Sequence, residues 1–213
     1  KSKHLITNLE KRAKVENEKW QQGKVSGTVY SGEQEHTELL NKVYAFYAWA
    51  NPLHADIWPS ISQCEAEVIS MTANLLNGGA SSVVGLTSSG GTESIVLAMR
   101  SAKEYFGRKR GIDRPEIIAS STAHAGLDKA CDMFGIRLVQ LEADPVTFQL
   151  RPRDVERAMT RNTILIYSSA PNFPQGVIDP IEKLSELAVR YDIGLHVDAC
   201  LGGFVLPFAK KLG

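Results

Sequence analysis

The sequence predicts an α/β fold in which a mostly parallel sheet with flanking helices follows a helical N-terminal segment. Two observations carry that expectation. From residue 83 onward, short apolar runs alternate with helix-length stretches, the pattern of parallel strands joined by crossover helices. Before residue 61 the alternation is missing, and helix-prone stretches are separated by loops. The chain therefore divides into residues 1–60, a helical segment, and residues 61–213, an incomplete sheet-bearing large domain. With 213 residues, 43% hydrophobic and 23% charged, it can bury the core of one domain or one and a half.

Residues 1–20 are charged and helix-prone, with Leu5, Leu9 and Ala13 along one face of a solvated helix. Residues 21–35, rich in Gly and Ser, read as a loop. A helix follows over Thr37–Trp49, its apolar positions at Leu39, Leu40, Val43, Phe46 and Tyr47, and Asn51-Pro52 stops it. Residues 61–76 form another helix, ended by Asn77-Gly78-Gly79. The predicted strands are Val83–Leu86, Glu116–Ser120, Arg137–Leu141, Thr163–Ser168 and Gly194–Val197, with helices near 92–107, 124–134, 153–160 and 180–191. Ligands of such sheets sit at the carboxyl ends of the strands, so the loops after each strand are where chemistry is expected.

Bulk properties exclude several classes. Lys plus Arg equals Asp plus Glu at 24 each, so no basic surface is implied and nucleic acid is not an expected partner. Cys64, Cys131 and Cys200 are far apart and form no CxxC pair, which argues against a disulfide framework and against a metal site and favours a reducing compartment. No apolar run approaches the roughly 20 residues of a membrane-spanning helix, and no signal-peptide pattern opens the chain. Lys1 at the start, and Gly213 soon after the apolar stretch Phe204–Phe208, read as cuts inside a longer chain, so a membrane anchor outside this segment stays open.

Three loops carry candidate chemistry. The first, Thr87-Ser88-Ser89-Gly90-Gly91-Thr92-Glu93, follows a predicted strand and opens a helix. Gly90 and Gly91 let the backbone approach a ligand, the helix start offers free N–H groups, and Thr92 adds a hydroxyl, together an anion site suited to phosphate. A tight turn with a helix cap is the plain alternative. Gly85 and Gly90 begin like a nucleotide-binding P-loop, but Gly91 stands where the lysine should be, so a monophosphate fits better than ATP. The second loop, Ser121–Ala125, presents His124, a flat ring able to stack on a flat ligand; it also reads as a capping or surface histidine. The third, His196-Val197-Asp198-Ala199-Cys200, ends the last strand, with His196 and Asp198 on one face. A carboxylate there needs a partner, either a ligand or the backbone amides of the next turn.

Together the loops supply a phosphate cradle, a stacking face and a carboxylate, which match the phosphate, ring and basic nitrogen of pyridoxal 5'-phosphate (PLP). At SSGGTES, TAHAG, PNFPQGVIDP and HVDACLGGF the sequence resembles the fold-type I PLP-dependent enzymes, in the group that holds glutamate and aromatic amino acid decarboxylases. The resemblance implies that Gly90, Gly91 and Thr92 bind the cofactor phosphate, His124 stacks on the ring, Asp198 pairs with its nitrogen, and Ala199 lies against the other ring face. Ser169 is a further candidate cofactor contact, and Asp198 and His124 are the candidate catalytic residues.

Within the group, GKVSGTVY (23–30) and WANPLHADIWPSISQCEAEV (49–68) resemble the sphingosine-1-phosphate lyases. That implies cleavage of a phosphorylated long-chain base to phosphoethanolamine and a long-chain aldehyde, with Asn51, His54 and Tyr30 on the substrate side. Ordinary turn chemistry for Asn51 and packing for Tyr30 stand beside that role. Cys64 and Cys131 are expected as small core residues and Trp49 and Trp58 as packing residues, or as lining of an apolar lipid path, while Cys200 belongs to a structural turn. The resemblance also implies a homodimer, and an endoplasmic reticulum anchor with a cytosolic catalytic part in a eukaryote or a cytoplasmic enzyme in a bacterium. The family's Schiff-base lysine follows a histidine beyond HVDA, and Lys129, Lys210 and Lys211 lack that context. The chain is thus expected to be inactive alone, as a fragment of a lyase, with an amino-acid decarboxylase or a non-catalytic remnant as the alternatives.

Overall fold

A computed structural model of the chain describes residues 2–25, 29, 31–79 and 83–212. The chain forms two compact units, Lys1–Ser62 and Gln63–Gly213. The first holds helices α1 (Ser2–Gln21) and α2 (Gln34–Tyr47) and the start of α3 (Pro59–Leu75). None of these helices has a fully buried residue. Leu39, Leu40, Val43 and Phe46 of α2 are exposed, as are Trp49, at 90%, and Leu53.

The second unit is built on four parallel strands, β1 (Glu116–Ser120), β2 (Arg137–Leu141), β3 (Thr163–Ser169) and β4 (Gly194–Asp198), in the order β2-β1-β3-β4. The α/β class read from strand–helix alternation is therefore the one observed. The central strands β1 and β3 are buried along their whole length, which is why they read as continuous apolar runs; the edge strands are only partly covered.

Alternation assigns the two faces of the sheet. Ile117, Ala119, Leu165 and Tyr167 pack with Ile95 and Met99 of α4 (Gly91–Ala102) and with Leu127, Ala130 and Cys131 of α6 (Gly126–Phe134). Ile118 and Ile166 face the other way, onto Val155 of α7 (Pro152–Ala158) and Leu184, Leu187 and Ala188 of α8 (Ile181–Arg190). Each of the fully buried isoleucines and leucines contributes about 1.5–3 kcal/mol by leaving water. At the amino edge, buried Glu116 accepts hydrogen bonds from Arg137 (2.7 Å) and the Thr160 hydroxyl (2.6 Å).

Four expectations are corrected. Val83–Leu86 forms no strand: the apolar run has no ladder partner among the described residues, and Val84 is 94% exposed. The helix expected over 92–107 is α4 followed by a π-helical turn, Lys103–Gly107, and the short α5 (Arg108–Arg110). That turn sets Phe106 against the start of β4, where a Cβ on Gly194 would lie 2.8 Å from its ring. Cys64 is exposed, because α3 buries none of its residues, whereas Cys131 is core. Trp49 does not pack within its unit. The remaining elements, α9 (Ala209–Leu212) and the 3-10 turn Leu206–Phe208, close the described chain.

Candidate cofactor site

Three of the strands end where the sequence places its reactive side chains. Asp198 is the last residue of β4 and is paired in register with Ser169, the last residue of β3; β1 ends at Ser120, just before the His124 loop.

Asp198 has both carboxylate oxygens engaged. Oδ2 accepts the Tyr167 hydroxyl at 2.6 Å, and Oδ1 accepts the Cys200 N–H at 3.1 Å. The turn-amide expectation is thus met for one oxygen, while the second partner comes from the neighbouring strand. Tyr167 is fully buried and its ring stacks on His196, centroids 5.1 Å apart at 27°. Burial, and next the hydrogen bond to Asp198, push the Tyr167 phenol far above its ordinary range, so it stays a proton donor. Burial lowers the His196 pKa, against the opposing charge of Asp198.

The backbone around Asp198 is fixed from three sides. Its carbonyl accepts the Ala170 N–H at 2.8 Å. The buried Asp179 carboxylate accepts the Ser169 N–H at 2.9 Å and the Leu150 N–H at 2.8 Å, with its pKa raised by burial despite those bonds. Gly202 lies against the Ala170 carbonyl so closely that an added Cβ would stand 2.1 Å from its oxygen. Gly203 N–H returns to the Ala199 carbonyl at 2.7 Å, which closes the turn under Ala199.

The glycine loop enters α4 at Gly90, whose φ of 154° and ψ of 174° belong to a region that side chains disfavour. A Cβ there would meet nothing within 4 Å, so the space over the loop is open. Ser88 bonds Ser94 hydroxyl to hydroxyl at 2.7 Å, and the Ser89 N–H reaches the Glu93 carboxylate, whose pKa is lowered first by its hydrogen bonds from Ser89. Gly91 and Thr92 lie exposed in the first turn. A Cβ on Gly91 would sit 3.9 Å from Cys200 Sγ, so the glycine loop lies beside the turn that follows β4.

His124 is exposed, and its Nδ1 accepts the Gly126 N–H at 2.9 Å, which leaves Nε2 to carry the proton of the neutral ring. Gly126 packs against Ile95 of α4, so the histidine loop and the glycine loop share a neighbour. Asn172, fully buried, bridges two loops: its Nδ2 donates to Thr122 Oγ1 (3.3 Å) and to the Phe148 carbonyl (3.4 Å), and its Oδ1 accepts the Gln175 and Val177 N–H groups, each at 3.2 Å. Gly90, Gly91, Thr92, His124, Ser169, Asp198 and Ala199 thus belong to one unit. Sequence reasoning named none of Tyr167, Asn172 and Asp179; Asn172 and Asp179 lie within the PNFPQGVIDP segment, and the two-residue spacing of Tyr167 from Ser169 puts both on one face.

Asn51 and His54 belong to the first unit. Asn51 Oδ1 accepts the Leu53 N–H at 3.1 Å and its carbonyl accepts the His54 N–H at 3.0 Å, a turn closed by its own side chain. Tyr30 lies outside the described residues.

The donor set fits PLP. Exposed first-turn amides with open space beside them suit one phosphate, and a carboxylate oriented by two donors suits a ring N–H. No group of His, Cys, Asp or Glu among the described residues could hold a metal ion.

A fold of this class with this edge suits a PLP-dependent protein, and the family match shows that class. The pyridoxal-dependent decarboxylase conserved domain matches residues 1–212, and the chain belongs to that family. Its relatives are more particular. The sphingosine-1-phosphate lyase of Dictyostelium discoideum is 49% identical over the whole chain and 40% of its own length. Sphingosine-1-phosphate lyase 1 of Rattus norvegicus is 48% identical over 91% of the chain and 34% of its own length. The solved sphingosine-1-phosphate lyase of Burkholderia pseudomallei superposes with a TM-score of 0.95 at 40% identity, covering all of this chain and 50% of that one. Glutamate decarboxylase of Lactobacillus brevis shares the fold, at a TM-score of 0.74 over 86% of this chain and 44% of its own, with 23% identity. The chain spans about a third to two fifths of the length of the curated relatives it matches.

Proposed function

We propose that the full-length protein is a PLP-dependent aldehyde-lyase that cleaves a phosphorylated long-chain base into phosphoethanolamine and a long-chain aldehyde. The observation that carries this reading is the Asp198 carboxylate at the end of β4, held by the Tyr167 hydroxyl and the Cys200 N–H, with Cys200 near the open first turn of α4. The identity to named lyases supports this substrate class.

When bound, PLP supplies a protonated ring that accepts the electron pair left as the bond between C2 and C3 breaks. Asp198 holds the proton at the ring nitrogen, because a neighbouring negative charge favours the charged form. The N–H groups and hydroxyl of Gly91 and Thr92 bind the phosphate, and Gly90 leaves it room. His124 and Ala199 would hold the ring between them and exclude water, and Ser169 would add a contact from the end of β3. Asn51, His54 and Tyr30 are assigned to the substrate on the resemblance alone.

A homodimer completes the proposal, supported by the apolar side chains of α2 that its own unit leaves exposed. No described helix is long and apolar enough to cross a membrane. In a eukaryotic source we place the catalytic part on the cytosolic side of the endoplasmic reticulum, anchored by a segment outside residues 1–213; in a bacterial source, in the cytoplasm.

Borohydride reduction of the full-length protein, followed by mapping of the PLP-labelled peptide, is the deciding experiment. One labelled lysine is expected, outside residues 1–213; none would end the enzyme reading. Aldehyde release from the phosphorylated base, without carbon dioxide from amino acids, separates lyase from decarboxylase.

A further inference from the structure

The hydroxyl of Tyr167 enters a site in which a donor is not required for packing. A phenylalanine ring would fill the same buried space between the α4 and α6 side chains and would still stack on His196. The hydroxyl instead reaches diagonally across the β3–β4 pair, from the position registered with His196 to the carboxylate two residues further on. At 2.6 Å this is the shortest bond that Asp198 makes, and it comes from a side chain that is fully buried and clamped by its stacked neighbour.

We infer that Tyr167 is a positioning residue for Asp198: its hydroxyl fixes the rotation of the carboxylate and, by donating to Oδ2, leaves the shared proton on the cofactor's ring nitrogen. The inference rests on the proposed pairing of Asp198 with that nitrogen. Its physical basis is a competition for one proton between a carboxylate and a ring nitrogen. A donor to the carboxylate stabilises the anion and moves the proton toward the ring. The Cys200 N–H alone holds only Oδ1 and leaves Oδ2 free to take the proton or to turn away. His196 acts one step further out, by holding the Tyr167 ring in plane.

The test uses the full-length holoenzyme loaded with PLP carrying nitrogen-15 in the ring. In Tyr167→Phe the ring-nitrogen resonance is expected to move toward that of the unprotonated pyridine, and PLP to bind about tenfold more weakly, with the melting temperature of the cofactor-free protein unchanged. 3-Fluorotyrosine at position 167, a stronger donor of nearly the same shape, is expected to hold the wild-type resonance, so that a shift in Tyr167→Phe reports the lost donor and not altered packing. A wild-type resonance and PLP affinity in Tyr167→Phe would overturn the inference. Asp198→Asn, run in parallel, distinguishes the two levels. If it moves the resonance and Tyr167→Phe does not, the ring pairing stands and the role of Tyr167 falls. If neither moves it, both fall.

Discussion

At the scale of single residues, the energetics of the site concentrate on two carboxylates, the buried Asp179 and the half-buried Asp198. Asp179 is the anchor of the β3 loop, since it satisfies the buried N–H groups of both Leu150 and Ser169. Asp179→Ala is expected to cost about 2–5 kcal/mol, the penalty of two orphaned buried donors, measured by denaturant unfolding; a loss below about 1 kcal/mol would remove that role. Asp198→Asn is expected to abolish turnover while PLP is still partly bound, because the amide cannot keep the ring nitrogen protonated; normal turnover would refute the assignment. His196 titrates in the opposite sense to a salt-bridged histidine. Its folded pKa lies below the ordinary 6.5, so the unfolded chain binds the extra proton and stability falls as pH drops through and below 6.5. His196→Phe keeps a ring against Tyr167 and is expected to flatten that part of the stability–pH curve.

At the scale of elements, the site is a meeting of strand ends, each held by a neighbour remote in sequence. The end of β4 is held by β3 through Tyr167 and Ala170, and the end of β3 by Asp179. The turn after β4 is seated on the Ala170 carbonyl because Gly202 has no Cβ. Gly202→Ala is therefore expected to displace that turn, cost about 1–3 kcal/mol by overpacking, and weaken PLP binding through Ala199 and Asp198. Unchanged stability and affinity would mean that the Ala170 carbonyl moves aside freely.

At the scale of the whole molecule, the described residues divide into a unit with two packed cores and a unit with an uncovered apolar helix. Side chains such as Leu39, Val43 and Phe46 gain about 25 cal/mol for each Å² of apolar surface removed from water. Sedimentation equilibrium of the full-length protein is accordingly expected to give twice its chain mass, and a monomer would discard the dimer.

Periodicity in the sequence by itself determined the strands β1 to β4 and the helices between them, because the central strands, buried on both faces, are continuously apolar, the half-covered edge strands carry polar residues among apolar ones, and the crossovers are amphipathic. The chemistry-bearing loops were legible for a related reason: Gly90-Gly91, His124 and Asp198 sit at strand ends, where parallel topology leaves room for little else than turns and ligands. The same reading failed at Val83–Leu86, since an apolar run becomes a strand only if another strand offers it hydrogen bonds, and sequence does not name that partner. Only the tertiary structure decided who holds the reactive groups. Tyr167 lies 31 residues from Asp198 and Asp179 lies 29 from Leu150, and nothing local predicts either bond. The parallel register of β3 with β4 makes the first pair, and loop packing makes the second. What began as a carboxylate in need of some partner is thereby a carboxylate with two named donors.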